Sequence, residues 1–386
     1  MEQYQNTRNQ RQRKNQHRYY TVKSNEMKNW CVNPYYTLAS IKGRPNLPCC
    51  VLNDTDKHNF SVESLRNDFD RGIKSEHCKA CWTDEELGVT SKRQKDNRWI
   101  SWHSNKSLNE LYKERNNRTL LSLQYKASNL CNLACKTCHS IDSTRWYAED
   151  KHFGRYNKSA VDVNDHRLIL DKDITTIRHL EILGGEPFLD SAHFNLLERL
   201  IDAGNTDLHL IYTTNGQQMP SLRLSKLLSK FAKVQINLSI DGKDKVFDYM
   251  RYPGKWETLE EVLKQLQQTN WKISAYATLS NLNVFYFDEL LEWIVKNFQL
   301  SDFNYQFVYE PTEMAVNVMP VSMKEKIQHK FLNHKLATFL KPVLDTVMFP
   351  CKVDLIDKLK TTVKQQDTFR KQDPNDFVPE IVEYLY

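Results

Sequence analysis

The sequence predicts an α/β protein: a partial (β/α)6 barrel of the TIM type, with a small cysteine-rich N-terminal module and C-terminal helices. Three observations predict it. From about residue 119, apolar runs of strand length alternate with stretches of helical period. Each strand-plus-helix unit has the length of a parallel crossover, so the sheet should be parallel and right-handed. The 9 cysteines are unevenly spread, with Cys31, Cys49, Cys50, Cys78 and Cys81 all ahead of the alternation.

Residues 1–24 read as a flexible basic tail, rich in Asn, Gln and Arg and without apolar period. Residues 25–115 form the cysteine-rich module. Its first part is loop-rich, with Pro34, Pro45 and Pro48, and holds one helix from Val62 to Lys74. Ser61 is the N-cap there, and Leu65, Phe69 and Ile73 fall on one face. Residues 116–320 form the barrel. The strands are Leu120–Tyr125, Thr176–Leu183, Asp207–Thr213, Val234–Ile240, Lys272–Leu279 and Phe303–Tyr309. The helices between them are Ser191–Ala203, Leu222–Ser229, Thr258–Gln268 and Phe287–Asn297. Residues 321–386 read as helices.

Composition narrows the function classes. A chain of 386 residues is long enough for two domains, or one barrel with an appendage. No apolar run is long enough for a transmembrane helix. The N-terminus is polar and lacks a secretory h-region. These features point to the cytoplasm, where thiols stay reduced and available to metals. An odd number of cysteines also fits poorly with a disulfide framework. The net charge is +6, but Arg8, Arg11, Arg13, Lys14 and Arg18 against Glu2 already supply +4. The tail is either an arm for nucleic acid or a partner, or a solvated extension. The body is nearly neutral, so its charge does not demand nucleic acid.

The sharpest motif is Cys131-Asn-Leu-Ala-Cys135-Lys-Thr-Cys138, just after the first barrel strand. Three thiolates on a short loop can hold three irons of a [4Fe–4S] cube and leave the fourth open. A structural zinc site with His139 as fourth ligand, or inert buried thiols, remain alternatives. Downstream, at the end of the second strand, stands Gly184-Gly185-Glu186-Pro187. Glycines there allow close backbone approach, and a carboxylate suits an ammonium.

The two motifs together resemble the radical S-adenosylmethionine (SAM) superfamily. In that family the cysteine triplet holds the cluster and a GGEP turn holds the amino group of SAM. Softer matches follow the later strands: Thr213-Thr214-Asn215-Gly216, then Ser239-Ile-Asp241-Gly, then Thr278 to Asn281. The resemblance implies that Thr214, Asn215, Ser239 and Asp241 contact SAM or substrate at strand C-termini, where barrel sites lie. One departure is Thr137, where the family usually has a large residue near the adenine. Trp146 and Tyr147 are the nearby aromatics.

The N-terminal cysteines resemble the auxiliary-cluster module called twitch or SPASM, placed here before the barrel. The resemblance implies a second [4Fe–4S] cluster on Cys31, Cys50, Cys78 and Cys81, with Cys49 as the alternative to Cys50. A structural zinc is the other reading of Cys78-x-x-Cys81. Residues 377–385 also resemble the closing helix of that subset. Cys351 reads as a small core residue, and the aromatic strand Phe303–Phe307 as core or pocket lining.

The family's chemistry implies reductive cleavage of SAM to a 5′-deoxyadenosyl radical that abstracts hydrogen from a substrate. A reductant such as flavodoxin or ferredoxin would supply the electron. The substrate is a small molecule or peptide, of peptide, sugar or nucleotide type, and the sequence identifies no catalytic acid–base pair. Two rival classes are a non-enzymatic iron–sulfur electron carrier and a zinc-stabilised nucleic-acid-binding protein.

Overall fold

A computed structural model describes residues 27–386 except 41–46, 50, 53–59, 87, 89, 156–160, 162 and 352. The expected basic tail and Cys50 therefore lie outside the described residues. One sheet of seven strands runs in sequential order. Its strands are β1 (Thr37–Ser40), β2 (Ser122–Lys126), β3 (His179–Leu183), β4 (His209–Thr214), β5 (Lys233–Ser239), β6 (Lys272–Leu279) and β7 (Phe303–Phe307). Sequential order with helical crossovers is the connectivity of a partial (β/α) barrel. The sheet has one strand more than the alternation predicts. The extra strand is β1, whose Leu38 and Ala39 lie in parallel register with Leu123 and Gln124 of β2. Four residues of Thr-Leu-Ala-Ser carry no alternation, so only a distant partner reveals them as a strand.

Two compact units make up the chain. The first contains the residues up to Lys126 together with Asp165–Glu181 and Leu196–Leu210. Its N-terminal part is more helical than expected: α1 (Val62–Asp70), α2 (Lys79–Glu86), α3 (Lys92–Ser104) and α4 (Leu108–Glu114). Three of these start with the same device. Ser61, Ser91 and Ser107 each accept from the backbone N–H three residues on, and the third residue bonds back. Helix α1 stops before Ile73, which is exposed, so only Leu65 and Phe69 of its expected face are buried. They join Trp30, Val32, Tyr36 and Leu111 in one core. Trp99 of α3 stacks at 4.6 Å on His103 and at 5.0 Å on His209, and lies 5.4 Å from His179.

The second unit contains Ala127–Asn164, Ile182–Asn195 and Ile211–Tyr386. Strands β5, β6 and β7 pair in parallel, with Asn237 opposite Ser274 and Thr278 opposite Gln306. Helix α5 (Phe194–Asp202) follows β3, and α6 (Leu222–Leu228) follows β4. After β5 come two helices, α7 (Asp244–Met250) and α8 (Trp256–Leu266), where the sequence suggested one. Helix α9 (Phe287–Asn297) crosses from β6 to β7, and its Trp293 packs edge-on at 4.8 Å against Trp256. The C-terminal helices are α10 (Val321–Leu332), α11 (Ala337–Val347) and α12 (Val353–Arg370). Among the described residues, no helix is long and apolar enough to cross a membrane.

His193, beside β4, is fully buried against Phe194 and Tyr212. Neither ring nitrogen has a hydrogen-bond partner among the described residues. Burial pushes its pKa down to about 3. The unfolded chain takes up that proton near pH 6.5. Stability is therefore fully present above about pH 6.5 and falls below it, by about 2 kcal/mol at pH 5. In denaturant titrations at pH 7 and pH 5, His193→Leu should lose about 2 kcal/mol less than the parent over that interval. An equal loss in both would place the acid sensitivity elsewhere.

Candidate functional site

The cysteine loop leaves β2 and is tied down on both sides. Asn129 Nδ2 donates to Ser140 O at 3.1 Å and to Tyr147 Oη at 2.7 Å. Ser143 Oγ donates to Leu133 O at 2.6 Å. Across the loop, Ala134 N donates to Tyr252 O at 2.6 Å and Lys136 N to Met250 O at 2.8 Å. The end of α7 and the residues just after it thus cradle the middle of the triplet.

Cys131, Cys135 and Cys138 are free, part-buried thiols. Burial raises the pKa of all three, that of Cys135 to about 12. Leu133 N donates to Cys131 Sγ at 3.4 Å, a bond suited to a thiolate. His139, the fourth ligand of the zinc alternative, is half exposed, with Nδ1 3.3 Å from Asp142. Among the described residues, no group of three or more His, Cys, Asp or Glu is arranged to hold a single metal ion. The donor set on this loop is three soft sulfurs. That set fits a cluster with one iron left for another ligand.

The Gly184–Pro187 turn lies directly on this loop. Gly185 N donates to Ser128 O at 2.9 Å and Glu186 N to Leu130 O at 2.8 Å. A Cβ on Gly184 would meet Ser128 O at 2.7 Å, and Gly184 has a φ of 151°. A Cβ on Gly185 would collide with Leu130 O. The glycines are therefore required by the backbone leading into the cysteine loop, before any ligand is considered.

Glu186 is buried, and its carboxylate accepts three bonds. Oε1 accepts from Thr214 Oγ1 at 2.6 Å and Phe188 N at 2.9 Å; Oε2 accepts from Asn215 N at 2.7 Å. Burial raises its pKa, opposed by these bonds and by the Arg251 charge. Asn215 in turn donates Nδ2 to Asn132 Oδ1 inside the cysteine motif at 2.8 Å. Thr214, Asn215 and Glu186 are thus brought together with the loop. Asp241 is also buried. It accepts from Thr278 N at 2.8 Å and pairs with Arg251 Nη2 at 2.8 Å. Ser239 is half-buried at the end of β5, level with Tyr276. Asn281 holds Glu313 O and Val318 O, which makes it a structural residue. Trp146 is buried with the Arg370 guanidinium 4.7 Å over its ring.

Sequence reading missed Arg251. It follows α7, is buried, and places its charge near Cys131, Cys135 and Glu186. Its Nε has no hydrogen-bond partner among the described residues. The signal was available, since Arg251 follows Ser239-Ile-Asp241 by one short helix, but only the helix α7 makes the distance meaningful.

In the first unit, Cys31, Cys49, Cys78 and Cys81 line one pocket, with Arg93 at its wall. Cys78 and Cys81 sit one turn apart at the start of α2. Cys31 is set by its neighbours: Arg93 Nη1 and Asn97 Nδ2 donate to Trp30 O at 2.9 and 3.1 Å, and Val32 N donates to Asn97 Oδ1 at 2.9 Å. Glu85 holds Arg93 with two bonds of 2.9 and 2.6 Å. Burial raises the Cys31 and Cys81 thiols and pushes Cys78 up to about 12. Cys351 is part-buried, with Sγ 3.8 Å from Met319 O.

Similar solved structures include native anSMEcpe with bound AdoMet and Kp18Cys peptide, at 19% identity and a TM-score of 0.41, covering 63% of this chain and 66% of that one. Streptococcus suis SuiB bound to precursor peptide SuiA shows 15% identity and a TM-score of 0.38, covering 81% of this chain and 60% of that one. The chain spans between half and about two thirds of the length of such structures. No curated protein sequence matches it. A family model does: the Radical SAM superfamily, over residues 125–294. That span, which carries the cysteine loop, the glycine turn pressed against it and the Asp241–Arg251 pair, is the part of the chain similar to the Radical SAM superfamily.

Proposed function

We propose that the chain is a radical SAM enzyme that cleaves SAM reductively and abstracts hydrogen from an organic substrate. The observation that carries the reading is the direct apposition of the Gly184–Pro187 turn on a loop with three free thiols. When bound, a [4Fe–4S] cluster with one open iron supplies the electron that splits SAM into methionine and a 5′-deoxyadenosyl radical. Cys131, Cys135 and Cys138 are its ligands. Gly184–Pro187 receive the methionine end of SAM, with the Glu186 carboxylate fixing the turn to Thr214 and Asn215. Arg251 offers a buried cation for the SAM carboxylate, held in place by Asp241. Ser239 reaches toward ribose or substrate. Flavodoxin or ferredoxin is the class of electron donor this chemistry requires.

The pocket in the first unit is the auxiliary site. Four cysteines match the ligand count of a closed [4Fe–4S] cluster. Cys31, Cys78 and Cys81 are three of its ligands; the fourth is Cys50, with Cys49, which lines the same pocket, as the alternative.

Three outcomes test these assignments on anaerobically reconstituted protein. Cys135→Ala should abolish 5′-deoxyadenosine formation under dithionite; persistence of that product would sink the site. Arg251→Met should keep its iron but bind SAM about 10- to 100-fold more weakly, the loss of one charged hydrogen-bonding partner. Unchanged SAM affinity would remove Arg251 from the site. Cys50→Ser should lose about four irons per chain, one cubane, while Cys49→Ser keeps them. The reverse pattern would exchange the two residues.

A further inference from the structure

Helix α12 lies outside residues 125–294, yet its last turn carries three buried polar side chains, two of which meet the cysteine loop. Gln366 Nε2 donates to Lys136 O at 3.3 Å. Asp367 pairs with the fully buried Nζ of Lys136, the residue that follows Cys135. Asp367 also accepts from Tyr249 Oη at 2.9 Å and Tyr386 Oη at 2.8 Å. Arg370 Nε donates to Glu149 Oε2 at 2.9 Å. These residues are spaced to share one helix face.

Arg370 stands apart from the other two. Its side chain is fully buried. The guanidinium carbon lies 4.7 Å from the Trp146 ring centroid and 5.4 Å from that of Tyr252. Two aromatic faces stabilise the cation but accept none of its in-plane N–H bonds. Nη1 and Nη2 have no hydrogen-bond partner among the described residues. Leaving two charged donors buried and unmet is costly. The charge also reaches the loop: it lowers the Cys135 pKa, as Arg251 does, against the larger effect of burial.

We propose that Arg370 tunes the cluster held on the cysteine loop, its buried guanidinium charge raising the cluster's reduction potential. The inference rests on the reading of Cys131, Cys135 and Cys138 as cluster ligands. A reduced cluster carries one more negative charge, so a fixed buried cation favours the reduced form. Glu149, paired with Arg370, opposes that effect, and the Lys136–Asp367 pair is near neutral in sum.

The test uses the full chain, reconstituted anaerobically, without SAM. An EPR-monitored redox titration follows the cluster signal that Cys135→Ala lacks. Arg370→Met should retain iron and sulfide and shift the midpoint to more negative potential. Arg370→Lys should fall between Arg370→Met and the parent. Glu149→Gln should shift the midpoint the opposite way. An Arg370→Met midpoint equal to the parent's, with iron retained, overturns the proposal. If Arg370→Met takes up no cluster, the other two variants decide: opposite displacements support it, and unshifted midpoints overturn it. A parent protein without iron and sulfide overturns the assignment of the three cysteines instead.

Discussion

Glu186 is one buried carboxylate whose three accepted hydrogen bonds join the turn after β3 to the end of β4. Through Asn215 the same network reaches Asn132, inside the cysteine motif. A buried carboxylate is tolerated only when its lone pairs are met. Removing Thr214 would take one of the two donors from Oε1, and shifting the end of β4 would also take the Asn215 N–H from Oε2, so the turn, the strand end and the loop hold one another in register. The glycines at 184 and 185 complete this constraint, since no side chain fits between the two backbones.

Much of this was legible in the residue order. The strand Lys272–Leu279 and the helix Phe287–Asn297 have the bounds their patterns predict, because each is a long, clearly periodic run. The cysteine triplet and the glycine turn stand out in the sequence, and the structure brings the two together. What the pattern hid was of two kinds. Strand β1 is too short for its period to register, and its partner comes far later in the chain. Arg251 and Arg370 are ordinary basic residues by sequence. Their burial beside the loop follows from tertiary packing alone. The glycines were read as making room for a ligand; their first role is to make room for neighbouring backbone.

Three buried ion pairs surround the loop: Asp241–Arg251, Asp367–Lys136 and Glu149–Arg370. Such pairs contribute little net stability, since desolvation offsets most of their attraction. They are directional, however, and so add orientation to a loop that backbone hydrogen bonds already hold. The Lys136–Asp367 pair ties the loop itself to α12, and the other two pairs fix buried charges on segments packed near it.

The first unit is assembled from three stretches of chain rather than one. Trp99 and His103 of α3 stack with His179 and His209, which belong to β3 and β4. The cysteine-rich segment is therefore no portable cassette. A gene fragment ending at Lys126 would encode all of its thiols, but would lack the histidine rings that α3 packs against. During synthesis this unit cannot close until residue 210 has left the ribosome, and any evolutionary exchange of the module has to carry part of the barrel with it.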